Sequence, residues 1–442
     1  MSTLRLPHPL ILLLGGVAVA AVLTWALPPG AYERRDDPGT GRAVVVAGTY
    51  AAADAAPATP MSALMAVPKG IESGADVILT ILFVGGAFAL LDATGALGRL
   101  VGALARRTRR PRLVVVGVSL AFATFGALEN MHEEIIALAA VLVVLSRSLG
   151  FGAVTAMAMS VGAAVVGAAF GPTNPFQTGI ALRFAELPPM SQPGLRFALL
   201  AAAVAVWIAW TLAMASRDDV RPAVTALSVE EPTRKDRILL GIVLVPFIPY
   251  VIGVLRYDWG FSELSALFLL AGLAVGIVSG LDLSGSASAF LESMKGMLAA
   301  GIFVGVARAI SIVLTEGRVM DTIVHGLATP LAHTPGGGAV AAILMIPMHA
   351  LLHVPVPSVS GHAVLTMPIM APVADLLSVS RDSAVIAYQT GAGLMDMITP
   401  TNGALLAMLV GARLGYGRWL RFAVPGALLV ALVGVAGILI AA

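Results

Sequence analysis

The chain has 442 residues, of which 58% are hydrophobic and 12% charged, and it contains no cysteine. A soluble domain carries about a quarter charged residues, so a water-soluble fold is excluded, and a net charge of +2 without a dense basic face excludes nucleic acid as a partner. The missing cysteines remove disulfides, thiolate zinc sites, iron–sulfur clusters and thiol nucleophiles together; carboxylates, histidines, hydroxyls, amides and backbone remain.

The apolar residues fall in runs near the ~20 residues that cross a bilayer as a helix, not in the alternating strands of an outer-membrane barrel. Pro9 to Leu27 comes first. It is longer than a signal-peptide core and ends in Trp25-Ala26-Leu27-Pro28-Pro29, a poor cleavage site, so it reads as a membrane helix. Arg106, Arg107, Arg109, Arg110 and Arg112 mark the cytoplasmic side by the positive-inside rule, together with Arg217 to Arg237 and the group Arg413, Arg418, Arg421. The N-terminus is then cytoplasmic, the polar segment Pro28 to Pro60 lies outside, and Ala75 to Leu91 returns inward.

The run 113–149 is interrupted by Glu129-Asn130-Met131-His132-Glu133-Glu134, which reads as the tip of a re-entrant hairpin with arms too short to span. The run 153–187 is a helix broken at Gly171-Pro172-Thr173-Asn174-Pro175, and Phe197 to Ala215 goes back to the cytoplasm. Three spans follow near Ile238 to Leu255, Leu264 to Leu281 and Met297 to Leu314. A second hairpin, 339–377, has Pro355-Val356-Pro357-Ser358-Val359-Ser360-Gly361-His362 at its tip. A second broken helix, 383–414, carries Thr399-Pro400-Thr401-Asn402-Gly403, and Trp419 to Ile440 ends the chain outside.

The order of features is thus the same twice. The shift of 228 positions that carries Pro172 onto Pro400 carries Asn130 onto Ser358, and the Lys69-Gly70 and Lys295-Gly296 pairs match at 226. The chain therefore divides into a first repeat, 1–216, a cytoplasmic linker with an inverting span, 217–260, and a second repeat, 261–442. The fold class is an all-α polytopic membrane protein of about nine spans, two re-entrant hairpins and two broken helices. Inverted repeats with broken helices are transporter architecture, with the site near the midplane where the halves meet.

Non-helical backbone at membrane depth survives only where protein or a watery cavity satisfies it. Thr173, Asn174, Thr401 and Asn402 add neutral oxygens there, beside half-helix ends that favour ions of either sign. Asn130, Asn174, Ser358, Ser360 and Asn402, with Gly361 at the second tip, form a set suited to Na⁺, which takes oxygen ligands. One break alone reads equally as a kink; two in register point to a site. Glu133 and Glu134 precede an apolar arm and, with His132, are candidates for proton or cation coupling, whereas Glu129 fits a solvated tip.

Three readings stay open for His349, His353 and His362: proton coupling, a divalent metal or an anionic ligand, and hydrogen-bonded packing. His132-Glu133 lacks the second histidine of a zinc-protease helix, since position 136 is Ile136, and no other enzymatic constellation stands at a recognisable spacing. Arg308, inside an apolar span, needs a carboxylate, either Asp396 or one carried by the substrate.

Val67-Pro68-Lys69-Gly70, Gly85-Gly86-Ala87-Phe88, Glu133-Glu134-Ile135-Ile136, Asn174-Pro175-Phe176, Ala185-Glu186-Leu187-Pro188, Met367-Pro368-Ile369-Met370-Ala371-Pro372 and Pro400-Thr401 together resemble YfcC-type carriers of the dicarboxylate anaerobic carrier (DcuC-like) family, in the ion transporter superfamily. The resemblance runs over nearly the whole chain. It implies a homodimer in the bacterial inner membrane, in contact with lipid, with a scaffold and an elevator-type transport domain. It also implies a small-molecule substrate, four-carbon dicarboxylate or basic amino acid, moved by symport or antiport with Na⁺ or H⁺ and without any other cofactor. Six positions depart from that pattern: a serine is usual at His132, glycine and glutamine at Val359 and His362, amides at His349 and His353, and an acid at Ala392. Histidines gained and an acid lost favour proton coupling or a carboxylate-bearing substrate over a basic amino acid.

Overall fold

The computed structural model describes residues 8–37, 42–107, 110–130, 134–215, 231–257, 259–333 and 338–441. Helix α1 (Pro9–Ala26) starts at a proline, whose fixed φ suits a first turn, and is capped by His8. The next segment carries two antiparallel ribbons, β1 (Gly30–Ala31) with β4 (Ala51–Ala52) and β2 (Arg34–Asp37) with β3 (Arg42–Val45), in the register Arg34 opposite Val45. These ribbons correct the all-α expectation. They are too short and too charged to show as strands in the sequence.

Helices α2 (Pro60–Ser73), α3 (Ala75–Ala93) and α4 (Ala96–Arg107) lead to α5 (Pro111–Glu129). Asn130 ends α5 in the left-handed conformation, φ 56°, which asparagine tolerates. A 3₁₀ turn, Glu134–Leu138, and α6 (Ala139–Ser148) form the returning arm. The first broken helix comprises α7 (Ala153–Met157), a π-helical segment Ala158–Gly162, α8 (Ala163–Phe170), the break, a second π segment Pro175–Gly179, and α9 (Ile180–Phe184); α10 (Pro193–Ala215) follows.

After the linker, α11 (Arg234–Leu244) begins at a reciprocal cap between Thr233 and Asp236, and Pro246, which cannot donate into a helix, separates it from α12 (Phe247–Tyr257). Then come α13 (Phe261–Ser279), α14 (Leu283–Met294), α15 (Leu298–Glu316), α16 (Met320–Ala328), α17 (Gly338–His353), α18 (Val359–Leu376) and α19 (Arg381–Tyr388). A π segment, Gln389–Gly393, precedes the second break, and α20 (Gly403–Gly411) and α21 (Tyr416–Ala441) complete the chain.

Nine helical stretches among the described residues are long and apolar enough to cross a membrane. The number agrees with expectation but two members differ. The arms Pro111–Leu128 and Val359–Leu376 qualify, so these arms are longer than a short re-entrant hairpin requires. The inverting span is instead divided at Pro246, and the second broken helix holds only eight- and nine-residue pieces around its break.

Two hydrophobic cores result. One gathers α3, α4 and α11 to α14 around Phe88, Phe247, Phe268 and Phe290; the other holds both broken helices and both hairpins. Within the latter, α5 lies against α8 with backbones nearly touching: a Cβ on Gly126 would stand 2.0 Å from the Ala164 carbonyl oxygen, and one on Gly167 would stand 2.0 Å from that of Ala123. Small residues at the crossing allow this approach, the usual device where helices associate in lipid.

Arg34 and Asp321 pair at 2.8 Å, Arg183 and Asp37 at 2.9 Å, and Arg381 bonds Glu186 and Asp375 at 2.7 Å, all at the end carrying the ribbons. There Tyr50 stacks on His325 at 4.0 Å and Tyr32 bonds His325 Nδ1 at 3.0 Å. Burial and Asp321 push the Tyr32 hydroxyl up to about 12. The pair Arg99–Asp236, at 2.6 Å, lies with α4 and α11.

Candidate functional site: two breaks that meet

Each break is pinned to its own hairpin by the same kind of bond. Thr173 Oγ1 donates to the Ala127 carbonyl at 3.2 Å, and Thr401 Oγ1 donates to the Val354 carbonyl at 2.6 Å. Each asparagine then caps the half-helix that follows it. Asn174 Oδ1 accepts from the amides of Phe176 and Gln177, both at 2.9 Å, and Asn402 Oδ1 accepts from that of Leu405 at 3.0 Å. These caps satisfy backbone donors that a helix start leaves open.

Around the first break the remaining partners among the described residues are neutral. Asn174 Nδ2 donates to the Gly126 carbonyl at 3.0 Å, and Gln177 Nε2 donates to Asn130 Oδ1 at 2.7 Å. The hairpin tip is thereby joined to the break by amides. His132 and Glu133 lie outside the described residues, as do the side chains of Glu129 and Glu134.

Around the second break the partners titrate. Asn402 Nδ2 donates to Asp396 Oδ1 at 3.0 Å, and the same oxygen lies 2.9 Å from His353 Nε2. His349 Nδ1 and His362 Nε2 share a hydrogen bond at 2.9 Å, and the His353 and His362 rings lie 5.6 Å apart. All three imidazoles are wholly buried, as is Tyr388, whose ring lies against His349 and His362 and whose hydroxyl donates to the Val359 carbonyl at 2.7 Å. A Cβ on Gly391 would stand 2.3 Å from the Ile346 carbonyl oxygen, so this glycine lets the π segment approach α17.

The halves meet between the breaks. Gln389 Nε2 donates to the Ala169 carbonyl and to Thr178 Oγ1, both at 2.7 Å, and Gln389 Oε1 accepts from Arg196 Nη1 at 2.8 Å. Arg196 also holds Asp382 at 2.7 Å in a buried ion pair. A Cβ on Gly393 would stand 3.0 Å from Gln177 Oε1, so the two π segments cross closely.

Six buried side-chain polar atoms among the described residues have no hydrogen-bond partner, and four of them stand here: Gln177 Oε1, His349 Nε2, His353 Nδ1 and His362 Nδ1. Each such group costs about 1–3 kcal/mol, an expense that functional sites concentrate. For the bonded pair His349–His362 the consequence is fixed by tautomer. The neutral ring that donates keeps a bare lone pair on its other nitrogen, and the ring that accepts keeps an unpaired N–H.

The sequence-derived residues are placed as follows. Asn130 and Asn174 come together, as do His349, His353, His362, Asp396 and Asn402. Ser358 is exposed and caps α18, its Oγ accepting from the Gly361 amide at 3.4 Å, while Ser360 is half-buried. Arg308 does not meet Asp396: its guanidinium donates to the Ser73 carbonyl, and His353 takes the acid instead. Among the described residues no group of three or more His, Asp or Glu is placed to hold an ion, and His349 and His362 bond each other. Gln177, Gln389, Arg196 and Tyr388 were not anticipated. Their one signal is polarity inside an apolar run, which marks function by default in membrane segments.

The model of one family, described as DcuC, C4-dicarboxylate anaerobic carrier, matches residues 6–442. The chain is 29% identical to YfcC of Escherichia coli over 385 residues, 80% of this chain and 76% of that protein, whose name provisionally assigns it basic amino acid antiport. It is 26% identical over 483 residues, 96% of this chain and 94% of the other, to an uncharacterized protein of Haemophilus influenzae. Among solved structures, MtrF of Neisseria gonorrhoeae, described with a class of antimetabolite efflux pumps, aligns over 99% of this chain and 95% of its own at 17% identity and a TM-score of 0.42. The YdaH transporter of Alcanivorax borkumensis, described as having an unusual topology, covers 98% of both chains at 18% identity and a TM-score of 0.42.

Proposed function

The chain belongs to the C4-dicarboxylate anaerobic carrier family and is a multi-pass membrane transporter, and from that premise we propose that it is a secondary active carrier of a small carboxylate-bearing metabolite, dicarboxylate or amino acid. It works by alternating access in the bacterial inner membrane, as a homodimer with its N-terminus cytoplasmic and C-terminus outside, and is driven by an ion gradient. The observation that carries this reading is the crossing of two broken helices with unpartnered buried polar atoms from both halves. Asn130, Asn174, Ser358, Ser360, Thr401 and Asn402 line the path of substrate and ion, and the half-helix start after each asparagine favours a carboxylate. Arg308, with one donor on the Ser73 carbonyl, has further guanidinium donors for a substrate carboxylate. The name of the Escherichia coli relative points to basic amino acids; an amino acid shares the carboxylate, and its cationic end would need an acid such as Asp396, which already holds His353 and Asn402.

Counterflow in proteoliposomes tests the reading. Vesicles preloaded with succinate, or with L-arginine, accumulate the same labelled compound from outside when the chain carries it. No uptake of either class under imposed Na⁺ and H⁺ gradients overturns the proposal.

A further inference from the structure

We propose that His353 and Asp396 form a proton-binding site tied to the cap of the second half-helix, so that H⁺ is the ion this carrier uses. The inference rests on the transport reading and names its coupling ion. Asp396, itself buried, receives Asn402 Nδ2 on its Oδ1 at 3.0 Å and on its carbonyl at 3.1 Å, and Asn402 Oδ1 in turn holds the Leu405 amide at 3.0 Å. An unbroken series of bonds thus runs from the His353 imidazole to the first turn of α20.

Proton placement follows from the bonding. A carboxylate accepts, so Nε2 of His353 carries the hydrogen in that 2.9 Å contact. Its Nδ1 is then a bare lone pair, and that atom is buried without a partner. A proton entering the site binds at Nδ1, and the pair passes from a net charge of −1 to neutral. Neutralising an anion at membrane depth is strongly favoured over leaving it charged, so occupancy changes the pull of Asp396 on Asn402 and the hold of Asn402 on α20.

The neighbours leave this pair as the charge-bearing element. His349 faces it from α17 and His362 from α18, bonded to each other; Tyr388 stands beside them from α19, its hydroxyl on the Val359 carbonyl. From α15, packed on α20, Arg308 is turned to the Ser73 carbonyl, and from α21 Trp419 donates to the Met397 carbonyl at 2.7 Å. Asp382, at the far end of α19, is held by Arg196 from α10. Na⁺ takes oxygen ligands, whereas three of the orphan atoms here are imidazole nitrogens.

The test uses the full chain in lipid. Infrared difference spectra between acidic and alkaline samples contain imidazole and carboxylate bands that vanish in Asp396→Asn and in His353→Gln. Spectra that neither substitution changes overturn the site. His353→Gln keeps a donor for the carboxylate and carries the measurement alone if Asp396→Asn does not fold. In proteoliposomes with a trapped pH dye, succinate or L-arginine counterflow is accompanied by proton movement, and the ratio of protons to probe falls to background in both variants. An unchanged ratio overturns the proton site and leaves the transport reading standing. If neither probe moves, the transport reading fails while the spectra still decide the site.

Discussion

The two halves build the same joint and fill it differently. In each, a threonine bonds the carbonyl of its own hairpin and an asparagine caps the half-helix beyond the break. Around the first joint the side chains are amides, Asn130, Asn174 and Gln177; around the second they are His353, Asp396 and Asn402, with His349 and His362 beside them. Among the described residues the backbone device is therefore shared and the titratable side chains are not. Half-helix ends supply fixed partial charges of similar size, so any ion dependence that differs between the halves must come from the side chains. An amide set offers oxygens at constant charge, whereas an imidazole and carboxylate pair changes charge with a proton.

The largest expected break in that comparison is where the halves are tied. Arg196→Met leaves Asp382 buried without its ion-pair partner and removes one of the bonds that hold Gln389, at about 3–5 kcal/mol. Loss of monodisperse protein on size exclusion is the expected outcome, with partial recovery in Arg196→Met combined with Asp382→Leu. Next comes Gly167→Leu, which forces α8 away from the Ala123 carbonyl. Overpacking of this kind costs about 1–3 kcal/mol or more, and a drop in melting temperature with normal behaviour of the second half's histidine bands in the infrared would keep the two joints independent. Histidine bands lost with it would show them coupled.

Much of this was legible in the sequence. Pro172-Thr173-Asn174 and Pro400-Thr401-Asn402 stand out because polar residues are scarce in apolar runs, and their common offset of 228 needs no structure to be seen. What stayed hidden is pairing across distance. Arg308 and His353 were both available to Asp396; opposite charge favoured the former, yet three-dimensional placement gives the acid to the imidazole and turns Arg308 to a backbone carbonyl. Gln177 and Gln389 carry no spacing rule that would announce one reaching toward the hairpin tip and the other toward the opposite half. The ribbons were missed because two to four residues make no period.

A smaller effect checks the ion pair between α4 and α11, which lies away from both breaks in the sequence and holds a buried carboxylate. Hydrogen bonds from Arg99, at 2.6 Å and 2.9 Å, and from Thr233 hold the Asp236 carboxyl well below the usual carboxylate range, against the opposing effect of burial. A depressed folded value gives stability that is present above the unfolded value of about 3.9 and is lost as pH falls toward the folded one. Melting temperature should thus decline more steeply below about pH 4 in the natural chain than in Asp236→Asn, which forfeits about 1 kcal/mol of capping at neutral pH. Parallel curves would show that the pair contributes nothing.

The smallest effect is also the sharpest on the comparison. Thr173 and Thr401 make equivalent bonds, but Thr173 is exposed and bonds at 3.2 Å while Thr401 is 8% exposed and bonds at 2.6 Å, with Thr399 Oγ1 a further 2.8 Å away. Valine at either position keeps the shape and removes the hydroxyl. At Thr401 the Val354 carbonyl is left without that donor and Thr399 loses a partner, a loss of about 1 kcal/mol; at Thr173 water can replace the bond and the loss is smaller. Thermal melts of Thr401→Val and Thr173→Val should therefore separate in that order. Equal losses would mean that burial does not distinguish the joints, and the difference between the halves would rest on His353 and Asp396 alone.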